Sequence, residues 1–459
     1  MRNSHRKPAQ GRRRFERLPL SKISFLVSAA LLLFAYGVAV GRYQIFPYSV
    51  IKFGQDSVEQ VFEERETITE TRPVEHLFAA RDNGSGAVII DESRMSPGLT
   101  FMSGFFDQGL EMRLIRADGS IVHRWPARFH DIFPHPSHIK PKERVPQSNW
   151  NTGIHGALAF PDGSVLFNFE GSGLAKLDRC GAIEWTLPRM THHSVKQSQG
   201  GGFWVPSRHY IDGISRFREI TPPYEEDTVI NVSQDGKVLL EISVLELLFE
   251  NNLRALLFAN GSNGIVMTGR QADPDDLTHL NYVEELSPDM AAHFPNFAAG
   301  DLLISLRNLN LIMVVDPLAR RIKWRRTGPW MDQHDPHFMN TGRISVFSNN
   351  NDGTDDGSRL GGSTIIEADP VSGQTSVRYG GRPDQMMYTK IRGTHQRLAN
   401  GNTLIAESHA GRVFEISEAG DIVWKYTNRY DDTSVALVID AIRYPPGYFN
   451  VIKWACPKR

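Results

Sequence analysis

From about residue 75 onward the chain is a succession of short apolar runs separated by Gly-bearing turns, and the runs repeat. Several units end in a turn, an apolar residue or pair, and a Trp. They stand at residues 117–125 (ADGSIVHRW), 179–185 (RCGAIEW), 317–324 (PLARRIKW) and 418–424 (EAGDIVW). The strand before such a turn often closes on Asp, as in LAKLD, IMVVD and IIEAD. Strand, Gly turn, strand, turn, strand is a β-meander, and its repetition at this length is the signature of blades set around an axis. Six units are predicted, at about 76–126, 150–187, 190–244, 275–326, 330–380 and 392–426. The fold class expected is therefore all-β, a six-bladed β-propeller. Residues 434–454 are expected to add a last strand that helps close the ring, because closure removes exposed sheet edges.

One interval breaks the pattern. In residues 242–258 (ISVLELLFENNLRALLF) apolar residues fall at 242, 245, 248, 249, 253, 256 and 257. That spacing predicts a helical insertion, packed on the rim or covering the axial mouth.

Residues 23–40 hold no charge, close to the shortest run that spans a bilayer. Residues 1–22 carry eight Lys/Arg against Glu16, a net +7. A basic flank stays cytoplasmic, so the body is expected on the far side. A cleaved signal is the rival reading, with Gly37 and Ala39 as small residues and residues 12–15 (RRRF) as a faint twin-arginine pattern. The uncleaved anchor is favoured because the apolar run is long. The expected organisation is a basic cytoplasmic tail (1–22), a transmembrane signal-anchor (23–41), a stalk (42–75) and a propeller (76–459). The inner membrane, crossed once with the propeller outside the cytoplasm, is the expected location.

Net charge is −1 overall, so the chain beyond residue 22 carries −8. A slightly acidic body argues against a nucleic-acid partner. The two cysteines, Cys180 and Cys456, either pair across the fold or are unrelated thiols, and a cysteine metal site is excluded.

The candidate chemistry is imidazole. His155, His193, His279, His334 and His395 each open a stretch that leads through a Gly turn into an apolar strand. On an innermost strand these rings would converge on the axis, where histidine is a poor filler because it is polar and half-titrating. Residues 275–281 (DDLTHLN) set acids and Asn281 beside His279, and residues 333–337 (QHDPH) set Asp335 between His334 and His337. No glutamate or cysteine recurs at matching positions, so neither a closed metal shell nor a cofactor is expected. Arg208, Arg270, Arg307 and Arg359 stand near strand ends, and guanidinium forks suit tetrahedral oxyanions. Phe129, Phe133, Trp150 and Tyr388 are candidates either for an aromatic acceptor pocket or for ordinary packing.

The run DLTHLNYVEEL, LLISLRN, IMVVDP, IKWR, QHDPHF, GRISVFSNN and GTHQRLANGNTLIAES resembles the bacterial arylsulfotransferases that use no nucleotide sulfate donor. The likeness covers most of residues 150–450. It implies an exported six-bladed propeller that moves a sulfuryl group from an aryl sulfate ester to a phenolic or hydroxyl acceptor through a sulfated histidine. By motif, the resemblance makes His395 the nucleophile and His279 and His334 its flanking imidazoles. Arg359, Arg307, His193, His155, Asn281 and His337 become substrate contacts. Family members reach an arginine soon after an FDNG stretch. Here residues 347–350 read FSNN and the next arginine is Arg359, so Arg307 is the alternative sulfate anchor. The partners implied are a small aryl sulfate donor, an acceptor, and the membrane through the N-terminal helix. Two other functions stay open. One is a metal-dependent lyase or hydrolase with the histidines as ligands and Asp335 or Asp276 completing the shell. The other is a membrane-tethered binding module.

Overall fold

The computed structural model describes residues 19–43, 65–259 and 275–457. Much of the expected tail and stalk, and Arg270, lie outside the described residues. The chain forms two compact units, residues 1–65 and 66–459. In the first, one helix covers Leu20–Tyr43, and its stretch Leu20–Arg42 is long and apolar enough to cross a membrane. Its 24 residues rise about 36 Å at 1.5 Å each, more than the hydrocarbon core.

Among the described residues the second unit holds six antiparallel sheets of four or five strands, the blades of the expected propeller, and one small two-stranded sheet. Blade 1 runs, from its inner edge outward, Val438–Tyr444, Leu99–Phe106, Gly109–Ile115 and Ile121–Pro126. Blade 2 is Ile154–Ala159, Val165–Phe169, Gly173–Leu177 and Ile183–Leu187. In blade 3 the inner strand is split into Met190–Thr191 and Lys196–Gln197. Both pieces pair with Phe203–Ile211, which is followed by Tyr224–Val232 and Val238–Ser243. Blade 4 is Leu280–Glu285, Leu302–Leu306, Leu311–Asp316 and Arg321–Thr327. Blade 5 is His334–Phe338, Ile344–Ser348, Thr364–Ala368 and Thr375–Gly380. Blade 6 is Thr394–Arg397, Thr403–Glu407, Arg412–Ile416 and Ile422–Thr427, with Gly86–Ile89 as a fifth, outermost strand.

The middle strands are buried on both faces, because each blade packs against two neighbours. Leu302–Leu306 and Leu311–Asp316 accordingly read as nearly unbroken apolar runs rather than as alternation. The hydrophobic clusters lie between blades. Leu166, Val195, Phe203 and Ile230 join blades 2 and 3, and Leu303, Val314, Val346 and Ile366 join blades 4 and 5. Two of the recurring outer tryptophans latch one blade to the turn of the next. Trp185 Nε1 donates to Gln234 O at 2.9 Å and Trp424 Nε1 to Ala117 O at 2.8 Å.

Ring closure uses the chain ends, as expected of residues 434–454. Val438–Tyr444 supplies the innermost strand of blade 1 and pairs with Leu99–Phe106. The expected first unit, 76–126, is divided in the fold. Leu77–Ala79 pairs with Ser434–Ala436, Gly86–Ile89 edges blade 6, and only residues 99–126 belong to blade 1. Cys180 and Cys456 form a disulfide that ties the last residues to the turn of blade 2. The helical insertion is short. Residues 242–243 finish a strand, Ser243 caps the helix Val244–Glu250 by accepting from the Glu246 N–H, and a second helix spans Ala255–Ala259. Leu247, Leu248 and Leu253 bury against blade 4, so the insertion packs on the propeller body.

Candidate active site

In an antiparallel meander the start of the first strand faces the end of the second. Ile154 pairs with Phe169, Leu280 with Leu306, and His334 with Phe347. Residues opening an inner strand therefore meet residues that follow the second strand, all at one mouth of the axial channel. His155, His193, His279 and His334 come from the first set, and Glu170, Arg307 and Asn349 from the second.

Four of the five phased imidazoles form one layer around His193. Its ring centroid is 4.0 Å from that of His155, 5.0 Å from His279 and 6.2 Å from His334. His395 is not in that layer. His155, His193 and His334 precede their turn glycines (Gly163, Gly201, Gly342) by eight residues, whereas His395 precedes Gly401 by six. The position in phase is Gly393, at φ +96°, where a Cβ would stand 2.7 Å from the Phe347 ring. His395 sits deeper, its ring 5.0 Å from that of His337.

Each ring has a distinct holder. His334 Nδ1 donates to Asn349 Oδ1 at 2.7 Å and faces Asp332 O at 3.0 Å. Asn349 Nδ2 is committed to the carbonyls of Thr389 and Arg392, so its oxygen must face the ring. A neutral His334 thus carries its proton on Nδ1. Its Nε2 lone pair accepts the Arg392 backbone N–H at 3.3 Å. Burial, then the nearby Arg307 charge, hold His334 well below the ordinary imidazole range. His279 is gripped twice by Asp276. Its backbone N–H donates to Oδ1 at 2.9 Å and its Nδ1 donates to Oδ2. Burial and Arg307 lower its proton affinity, against the pull of Asp276. His193 Nδ1 lies 2.8 Å from Nδ1 of His192, whose Nε2 is 3.5 Å from Asp227 Oδ1. His155 Nδ1 stands 3.4 Å from Glu170 Oε1, and Glu170 pairs with Arg392 at 2.6 Å.

Below this layer is a cavity of about 160 Å³, lined by His155, Asn281, His334, Asp335, Lys196, Tyr282, His337, His395 and Asp440, among others. Asn281 Nδ2 donates to Gln333 O at 2.7 Å, while its Oδ1 is buried with no hydrogen-bond partner among the described residues. His337 lies 3.0 Å from Asp335 Oδ2. Burial opposes its protonation, but Asp335 and Glu284 win and push it up to about 9.

Arg307 and Arg359 part company. Arg307 follows the second strand of blade 4, donates its N–H to His279 O at 3.0 Å and acts electrostatically on both His279 and His334. Arg359 is exposed, its guanidinium 3.4 Å from Asp352 O. The aromatic candidates are packing residues. Phe129, Phe133 and Trp150 belong to the cluster between blades 1 and 2, and the Tyr388 hydroxyl reaches Thr354 O at 3.2 Å. Sequence reasoning missed Glu170, Asn349 and Arg392. Their common signal was a place just after a second strand, or just before an inner one, at the same mouth.

A family model described as "Arylsulfotransferase (ASST)" matches residues 156–429, more than half of the chain. No curated protein matches. Among solved structures, a Bacteroides caccae protein of unknown function is 13% identical, with TM-score 0.46, over 75% of this chain and 99% of its own. Virginiamycin B lyase from Staphylococcus aureus is 11% identical, with TM-score 0.39, over 78% and 89%.

Proposed function

Because the chain belongs to the arylsulfotransferase family, we propose that the four-imidazole layer carries sulfuryl transfer from an aryl sulfate ester to a phenolic or hydroxyl acceptor, with His334 as the group that becomes sulfated. The observation that carries this choice is the lock on His334: a buried, neutral imidazole whose proton is pinned on Nδ1 by an amide that cannot turn. Attack on sulfur requires a neutral ring with its lone pair on Nε2, which here is engaged only by the long hydrogen bond from the Arg392 N–H that the sulfuryl group must displace.

Nε2 of His334 attacks sulfur, the S–O bond to the aryl oxygen breaks, and phenolate leaves. Charge in such a loose transition state spreads over the departing oxygen and the equatorial oxygens, so fixed positive charge matters most. Arg307 supplies it to the sulfate oxygens. His193 and Asn281 line the path, and His155, tied to the Glu170–Arg392 pair, borders it. His279, oriented by Asp276, gives a proton to a poor leaving group and takes one from the incoming acceptor; such transfers contribute about 10²- to 10⁴-fold. Two half-reactions through one sulfated enzyme imply ping-pong kinetics. His395 and His337 lie a layer deeper and border the cavity from below.

A basic tail before an apolar helix, together with a disulfide, supports an anchored enzyme acting outside the cytoplasm.

The test is mass spectrometry of protein exposed to a chromogenic aryl sulfate without acceptor. An added sulfuryl group on the peptide holding His334, absent in His334→Ala, is the expected result. A label on the peptide holding His395, or undiminished turnover in His334→Ala, overturns the assignment.

A further inference from the structure

Beneath the imidazole layer, Asp335, His337 and His395 bring one oxygen and two ring nitrogens within 4.8 Å of one another. Asp335 Oδ2 is 3.0 Å from His337 Nε2 and 3.3 Å from His395 Nδ1. Neither contact is aligned as a hydrogen bond: both nitrogens are buried without a hydrogen-bond partner among the described residues. Donor atoms that crowd together yet do not point at one another are arranged about a common centre. Ligands held about 2.0–2.1 Å from a Zn²⁺ ion stand roughly 3.0–3.4 Å apart, as the Asp335 oxygen does from each ring nitrogen.

The outer nitrogens of the two rings are held as ligands usually are. His395 Nε2 is 2.6 Å from Ser345 Oγ, which leaves Nδ1 as the inward atom. His337 Nδ1 is 2.8 Å from the Tyr282 hydroxyl and 3.6 Å from Glu284 Oε1, which leaves Nε2 inward. Asp335 Oδ2 accepts the His395 backbone N–H at 2.6 Å. A carboxylate behind a ring nitrogen is the usual support of a metal-binding histidine. A bound ion must displace the proton that Asp335 and Glu284 otherwise hold on His337; beyond that ring, the cation facing the triad among the described residues is Lys196, whose Nζ is 4.0 Å from the other oxygen, Oδ1, and lies over the Tyr282 ring. It faces the triad from blade 3 on Oδ1, away from Oδ2, which faces the two rings and also accepts the His395 backbone N–H.

We propose that Asp335, His337 and His395 form a divalent transition-metal site, best suited to Zn²⁺, in the wall of the axial cavity. Two imidazoles and a carboxylate are borderline donors that select Zn²⁺ over Mg²⁺ or Ca²⁺. Three protein ligands leave at least one coordination position toward the cavity. The site uses none of the residues assigned to sulfuryl transfer, so either assignment can fail without the other.

The experiment titrates full-length, chelator-stripped protein in detergent with Co²⁺, a coloured stand-in for Zn²⁺, and repeats the titration by calorimetry with Zn²⁺. One equivalent is expected, with the visible absorption of a low-coordinate Co²⁺ centre. Asp335→Asn and His395→Ala lose it. Glu284→Gln and Ser345→Ala weaken it by about 10- to 100-fold. His334→Ala and His155→Ala keep it. Because Asp335 is buried, each variant is checked by near-ultraviolet dichroism and thermal melting, and His337→Gln, at a less buried position, gives a second reading. Binding of no ion, binding that survives both Asp335→Asn and His337→Gln, or binding lost in His155→Ala would refute the proposal. The last outcome would move the ion to the His155, Glu170 and His193 group instead.

Discussion

At the scale of single residues, two histidines of one type are given different work by their holders. Asn349 offers His334 a neutral acceptor, which fixes a tautomer without favouring a charge. Asp276 offers His279 a carboxylate, which orients the ring and steadies the imidazolium that forms when a proton is taken. Asp276→Asn should therefore slow the half-reaction with the acceptor by about 10²- to 10⁴-fold. The half-reaction with a nitrophenyl sulfate, whose leaving group needs no proton, should change much less. Rapid-quench measurement of the two halves checks this. The pH dependence follows from the same rings. With a nitrophenyl sulfate, whose leaving group needs no proton, His334 must be neutral to attack sulfur and His279 neutral to take the acceptor's proton, and burial lowers both below the ordinary 6.5. Protonation sets in only below that value, so kcat/KM should hold through neutral pH and fall on an acid limb centred below 6.5. A limb centred above 7 would contradict a neutral, desolvated His334.

At the scale of elements, the inner edge of the ring is where function is placed and the outer edge where blades are joined. Outer tryptophans bridge to neighbouring turns, and the C-terminal strand closes blade 1. The disulfide lies just beyond that strand, 276 residues apart in sequence. Removing a cross-link over so long a loop frees the unfolded chain. Cys456→Ser should lose about 2–4 kcal/mol in denaturant unfolding. Because the cross-link reaches the outer turn of blade 2 rather than the channel, kcat should stay within about twofold of the parent at temperatures where the variant is folded. A variant as stable as the parent would mean the closure needs no staple. The split inner strand of blade 3 has a further consequence. His192 and His193 occupy the gap between its two short pieces, and His193 takes a positive φ of 55°. A left-handed residue turns its side chain out of the regular pleat, here to the middle of the imidazole layer.

At the scale of the whole molecule, the apolar helix and the propeller are separate compact units. A chain lacking residues 1–43 should leave the membrane fraction while keeping transfer with soluble donors, as fractionation and a chromogenic assay would show. Double-reciprocal plots for donor and acceptor should be parallel, the mark of a ping-pong sequence. Intersecting lines would instead require both substrates to be bound at once.

What was legible in the sequence was whatever a local repeat encodes. The strand–turn rhythm yielded six blades, the late strand yielded closure, and the apolar run yielded the helix, because each depends on near neighbours in the chain. His155, His193 and His334 could be matched by their common distance from a glycine turn, and the same count would have set His395 apart. The holders of those rings were hidden. Asn349 and Glu170 are ordinary strand-end residues until antiparallel pairing carries the end of a second strand back beside the start of a first. Arg392 meets Glu170 across 222 positions, and Cys180 meets Cys456 across 276. Composition and periodicity determined the architecture. Only the closed ring decided which imidazole was held by an amide, which was oriented by a carboxylate, and which arginine acted on both, because proton affinity and orientation depend on burial and on partners distant in the chain.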